Sequence, residues 1–186
     1  MVDPLLQLVA TLLLALVFAA GAWSKLAARE EFEGVVGNYR ILPEALVRPF
    51  ALALPPAEAL VALLLAVPAT RPLGALGGLA LLVAFVVAIA VNIRRGRTEI
   101  DCGCFRSAHR QVLSWWLVGR NAVLALFAIA LLAPPTGRAL GLVDLAQVPF
   151  AVGALFLVYL AIGGAFLPRP PTFDENYARS LAGERR

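Results

Sequence analysis

Apolar residues run along this chain in long blocks, parted by short polar gaps, rather than in the one-sided rhythm of a surface helix. A helix of about 20 apolar residues spans the roughly 30 Å hydrocarbon core of a bilayer. Five blocks near that length are predicted as spans: Pro4 to Leu26, Phe50 to Val67, Leu73 to Ile93, Trp115 to Leu132, and Val148 to Leu167. The first ends in a small-residue patch, Ala19-Ala20-Gly21-Ala22, as a signal peptide would. A signal peptide has a basic start and a shorter apolar stretch, whereas here Asp3 precedes the block and Lys25 and Arg29 follow it. It therefore reads as an uncleaved first helix. Between the first two spans, Phe32, Val35, Val36 and Tyr39 recur at helical spacing, which predicts a short helix lying at the membrane interface. Pro55-Pro56 predicts a kink in the second span, and Pro68 to Pro72 a tight turn after it. Gly74, Gly77 and Gly78 predict close helix contact in the third span, and Trp115-Trp116 mark a water interface at the start of the fourth. The fold class that follows is all-α, a polytopic membrane helical bundle. Arg94 to Ser114 and Ala133 to Gln147 read as loops, and Pro168 to Arg186 as a poorly ordered polar tail.

Composition agrees with the pattern. Of 186 residues, 61% are hydrophobic and 15% charged, against about half and a quarter in soluble domains. The net charge of +4 changes the picture only through its placement. Its arginines sit in short loops, where they bias membrane orientation rather than indicate nucleic-acid binding. The first loop, the 94–114 loop and the tail hold thirteen basic residues, and the other side has Arg71 and Arg138. The loop-charge rule then puts the N-terminus outside and the 94–114 loop in the cytoplasm of a multi-pass plasma- or inner-membrane protein.

The only two cysteines stand in that loop, in Asp101-Cys102-Gly103-Cys104-Phe105. Two are too few for a disulfide framework. Their spacing is another matter. An i, i+2 pair meets the Cα separation of about 7 Å that a disulfide needs, and a glycine between them permits a tight turn. The small ring is strained and easily reduced, so the expected chemistry is a thiol–disulfide couple, with Cys102 and Cys104 as the reacting groups. Asp101 adjoins Cys102 and disfavours its thiolate, whereas Arg106 and Arg110 follow Cys104 and favour its own, which makes Cys104 the expected attacking sulfur. Two other readings stay open. Asp101, Cys102, Cys104 and His109 could form a soft-metal site, or the two thiols could be inert. His109, the only histidine, is otherwise a solvated loop residue.

Ionisable groups inside a bilayer cost roughly 2.5–3.5 kcal/mol or more, so each asks for a partner or a task. Lys25 closes the first span, Glu58 lies about eight residues into the second, Asn92 ends the third, and Arg120 and Asn121 lie near the start of the fourth. Spans alternate in direction, so all five crowd the end of the bundle that carries the cysteines. A structural salt bridge between Glu58 and Arg120 or Lys25 accounts for them. So does a polar pocket beneath the loop that takes a quinone head group or orients a thiolate.

Taken together, Asp101-Cys102-Gly103-Cys104-Phe105, Gly21-Ala22-Trp23-Ser24-Lys25-Leu26, Glu58, Tyr39-Arg40-Ile41-Leu42-Pro43 and Arg120-Asn121 resemble the methylamine utilisation protein MauE family. That family is grouped with the DoxX-like membrane proteins. The resemblance spans about residues 5 to 133 and departs at Arg106, where the family has glycine. It implies a four-helix membrane core, residues 1–133, to which residues 134–167 add a loop and a fifth transmembrane helix and residues 168–186 a polar tail. It further implies redox-associated maturation of a partner protein, the disulfide-rich small subunit of methylamine dehydrogenase in the family, beside a thioredoxin-like protein. Disulfide maturation takes place outside the cytoplasm, which conflicts with the cytoplasmic cysteine loop that the charge rule gives. The favoured expectation is a membrane thiol–disulfide relay. Its rivals are a non-catalytic membrane anchor for a redox partner and a soft-metal-handling protein.

Overall fold

The computed structural model describes residues 1–98, 100 and 113–165, the last four by their backbone. These residues form six α-helices: α1 Pro4–Ala27, α2 Arg29–Tyr39, α3 Glu44–Ala66, α4 Arg71–Arg94, α5 Trp115–Ala130 and α6 Leu142–Ala165. Among the described residues the only strand-like feature is a lone bridge between Val2 and Pro135.

The helix ends follow from local chemistry. Asp3 caps α1 by accepting the Leu5 N–H at 2.8 Å, with Pro4 at the first helical position, where its missing N–H costs nothing. Helix α2 stops at Arg40, which takes a left-handed conformation (φ 47°) and returns its N–H to Gly37 O. A 3-10 turn, Pro68–Thr70, joins α3 to α4, and Thr70 Oγ1 donates to Leu64 O at 2.9 Å near the end of α3.

Two boundaries differ from the sequence reading. Helix α3 begins six residues before Phe50, because Glu44 suits a helix N-terminus and α2 covers its first turns. Phe32 and Val36 of α2 pack there with Ala51, Leu54 and Val47. Helix α6 begins at Leu142, inside the segment read as a loop. The Asp144 carboxylate reaches back to accept the Gly141 N–H at 2.9 Å, half of a capping box that starts the helix before its apolar run.

The spans pack around α1. Its Ala10, Leu13, Leu14, Val17 and Phe18 meet Val61 and Leu65 of α3, Leu82 of α4, Leu124 and Ala128 of α5, and Tyr159 of α6. Helix α4 fills the space between α3 and α5, and α6 lies on α1 and α5. Gly74 sets the closest crossing. A Cβ there would lie 2.7 Å from Leu65 N and 2.9 Å from the Leu64 carbonyl carbon. Around this core, large apolar side chains such as Leu12, Leu60, Leu63, Leu73, Val87, Leu126 and Leu157 face outward. Such a continuous apolar exterior suits lipid rather than water. Helices α1, α3, α4 and α6 are long and apolar enough to cross a membrane, and α5 is a shorter apolar helix of 16 residues, about 24 Å long. The protein is an all-α, multi-pass membrane bundle.

Its two ends differ in chemistry. At the α1 N-terminus, Val2 pairs through its backbone with Pro134 and Thr136, and Gln7 Nε2 donates to Ala133 O. Arg138 bridges Asp3 (3.2 Å) and Asp144 (3.1 Å) on the exposed surface of that end. The opposite end holds α2, the end of α4 and the start of α5. There Arg95 donates to Arg40 O, and the Leu113 N–H meets Thr98 O at 3.0 Å, closing the base of the segment between α4 and α5. Trp23, Trp115 and Trp116 are exposed at this end, as residues at a membrane–water boundary are.

Candidate functional site

Helix α1 carries Gly21 and Lys25 one turn apart, both buried against α3. Lys25 Nζ lies 2.9 Å from Glu58 Oε1 and 3.4 Å from Gly21 O. Gly21 lies directly beside the pair: a Cβ there would make ordinary contact, 3.4 Å from Lys25 Nζ and 3.6 Å from both Glu58 oxygens. Glu58 is 2% exposed and Lys25 6%, so the pair is desolvated. The ammonium also faces the rings of Phe32 and Phe85, 5.6 and 5.9 Å from their centroids. The carboxylate and the two ring faces offset part of the cost of desolvating the ammonium.

With α3 starting at Glu44, Glu58 lies fourteen residues into the helix, about 21 Å along the axis. Its burial places it inside the bundle.

The remaining polar residues are buried on α4 and α5. Asn121 of α5 is buried and donates one amide hydrogen to Leu117 O at 2.9 Å. Asn92 of α4 has no exposed surface; its Nδ2 donates to Ala88 O at 3.0 Å, and its side-chain oxygen meets no donor among the described residues. Arg120 is buried with its guanidinium 4.3 Å from the centre of the Tyr159 ring, which joins α5 to α6. Lys25, Glu58 and Asn121 line one cavity of about 310 Å³, whose walls are otherwise mostly apolar and aromatic.

The aromatic surroundings were missed in the sequence. Phe32 follows Lys25 by seven residues, but the chain turns between α1 and α2, so helical spacing gave no hint. Tyr159 was hidden in the fifth apolar block, where a tyrosine carries no pairing signal. Asp101, Cys102, Cys104, Arg106, His109 and Arg110 lie outside the described residues, as does the tail from 168 to 186. Among the described residues no cluster of three or more His, Cys, Asp or Glu side chains could hold a metal ion.

Comparison with known proteins agrees with this architecture. The family model for "Methylamine utilisation protein MauE" matches residues 3–134, which run from the cap of α1 past the end of α5. A Paracoccus versutus protein named methylamine utilization protein MauE is 47% identical over 176 residues, covering 91% of this chain and 94% of its own. The protein of that name from Methylorubrum extorquens is 49% identical over 166 residues, covering 89% and 88%. One from Methylophilus methylotrophus is 52% identical over 104 residues, 56% and 55%. No solved structure matches the chain. With most of its length shared at nearly half identity, the chain belongs to the MauE family of methylamine utilisation proteins.

Proposed function

We propose that this protein is an integral membrane component of methylamine utilisation that acts as a thiol–disulfide relay for a maturing partner protein. Cys102 and Cys104 are the reacting groups. A thiolate of the partner attacks the Cys102–Cys104 disulfide, a mixed disulfide forms, and the partner's second thiolate resolves it. Two electrons and two protons leave the partner, which gains a disulfide, and the relay is left with two thiols. A thioredoxin-like protein or the maturing subunit itself is the exchanging partner.

One observation carries this reading. The only two cysteines of the chain stand one residue apart, between α4 and α5, in a segment whose base is closed by the Leu113–Thr98 hydrogen bond. The relatives' names support the methylamine context. Lys25, Glu58, Asn92, Arg120 and Asn121 support the relay from within the bundle, and Asp101 beside Cys102 tunes the pair. The rival is a membrane anchor whose cysteines are incidental. In a host whose own copy is deleted, a Cys102→Ser/Cys104→Ser chain that reaches the membrane should fail to restore growth on methylamine and accumulation of the disulfide-rich subunit. Full restoration would favour the anchor.

A further inference from the structure

We infer that the cavity between α1, α2, α3 and α4 binds the head group of a membrane-soluble quinone, with Lys25 donating to one of its carbonyls. The volume of about 310 Å³ falls at the small end of ligand pockets, which run from about 300 to 1,000 Å³. Phe18, Phe32, Phe50, Phe85, Tyr39 and Tyr159 contribute to the wall and offer ring faces and edges to a flat guest. The charges in the wall set its polarity. Lys25 and Glu58 neutralise each other at 2.9 Å, so a charged guest would gain little and lose its hydration, whereas a neutral one loses less.

Donor accounting narrows the class. An ammonium carries three N–H groups, and Lys25 directs two of them at Glu58 Oε1 and Gly21 O. For the third, the described residues offer the ring faces of Phe32 and Phe85, weaker partners than a carbonyl oxygen. Asn121 adds a second amide hydrogen beyond the one it gives to Leu117. A lipid acyl chain would leave such donors facing hydrocarbon, at the cost of an unmet buried hydrogen bond. A carbonyl meets them. Ile41 and Phe50 line the cavity and are each 43% exposed, so its wall reaches the surface where α2 meets α3, beside the exposed Arg40, Glu44 and Arg48. An amphipathic guest lying at the bilayer interface meets the cavity wall there.

The binding claim stands on the cavity. The further role of the quinone as oxidant rests on the relay reading. There the two cysteine thiols give up two electrons and two protons to close their disulfide, and the quinone takes up both to become quinol.

The test is equilibrium binding of tritiated decyl-ubiquinone to the full chain, purified in detergent and stripped of endogenous quinone. Saturation at one molecule per chain is expected. Ala88→Phe, which fills the cavity from α4, should weaken binding at least tenfold, and Val87→Phe on the lipid-facing side of the same turn should leave it unchanged. Lys25→Gln should weaken binding less than Ala88→Phe, because its amide still donates. Cys102→Ser/Cys104→Ser should bind as the unsubstituted chain does, so loss of the relay cannot be mistaken for loss of the site. Absence of saturable binding, equal binding by Ala88→Phe, or displacement by decanol as strong as by unlabelled decyl-ubiquinone would overturn the inference.

Discussion

Replacing Lys25 by methionine keeps an unbranched side chain only one atom shorter and removes its charge, leaving Glu58 buried without its ammonium. At 2.9 Å and an effective dielectric constant of 20, the attraction between the two charges is about 5.7 kcal/mol. Desolvating two ions costs several kcal/mol each, so the intact pair is close to break-even. The single variants are not. Lys25→Met and Glu58→Leu should each destabilise the fold by about 3–5 kcal/mol, because each strands a charge in the bundle. The double variant should recover most of that loss, since an apolar pair of similar volume is often neutral relative to a buried ion pair. The recovered coupling should be at least about 3 kcal/mol, well above the roughly 0.5 kcal/mol scatter of independent sites. Reversible unfolding by sodium dodecyl sulfate in dodecyl maltoside micelles, followed by far-ultraviolet circular dichroism, gives the four free energies. Additive single effects would refute the argument that Lys25 and Glu58 hold α1 to α3 as a compensated pair.

Gly74→Ala should destabilise the bundle by about 1–3 kcal/mol, since the new methyl meets α3 backbone at 2.7 Å and helix α4 must move away. Gly119→Ala, with no atom within 4 Å of the new Cβ, should instead stabilise α5 by about 0.5–1 kcal/mol, and the same unfolding titration reads both. The basic residues crowding one end predict that a membrane-impermeant maleimide will not reach Cys102 or Cys104 in intact cells and will do so in inverted vesicles. Labelling in intact cells would reverse that orientation and put the cysteines on the side where disulfide maturation takes place.

Block length made the membrane spans legible, because a helix that must satisfy its backbone in lipid leaves a long apolar run in the sequence. Alternation of the spans similarly brought Lys25, Glu58 and Asn121 into one region of the bundle. What the sequence hid was set by tertiary contacts and capping. The early start of α3 depends on α2 covering Val47 and Ala51, and apolar blocks carry no trace of that cover. The start of α6 was written in Gly141 and Asp144, but a capping pair outside the apolar run is easily read as loop polarity. The ring contacts of Lys25 and Arg120 come from residues that any apolar segment contains, so only the fold distinguishes them from packing.

The central claim is that Cys102 and Cys104 cycle between dithiol and disulfide against a partner. Cells carrying Cys102→Ser or Cys104→Ser, quenched in acid and alkylated, separate the outcomes on non-reducing gels, with thiol counting on the unsubstituted chain alongside. Arg106 and Arg110 after Cys104, and Asp101 beside Cys102, favour the Cys104 thiolate. In Cys102→Ser that thiolate attacks the disulfide of an already oxidised partner, the reverse of the relay step. That variant should trap a mixed disulfide through Cys104, and Cys104→Ser should trap less. The unsubstituted chain should hold a mixture of oxidised and reduced pairs. If neither variant captures a protein and both thiols are always reduced, the relay is contradicted.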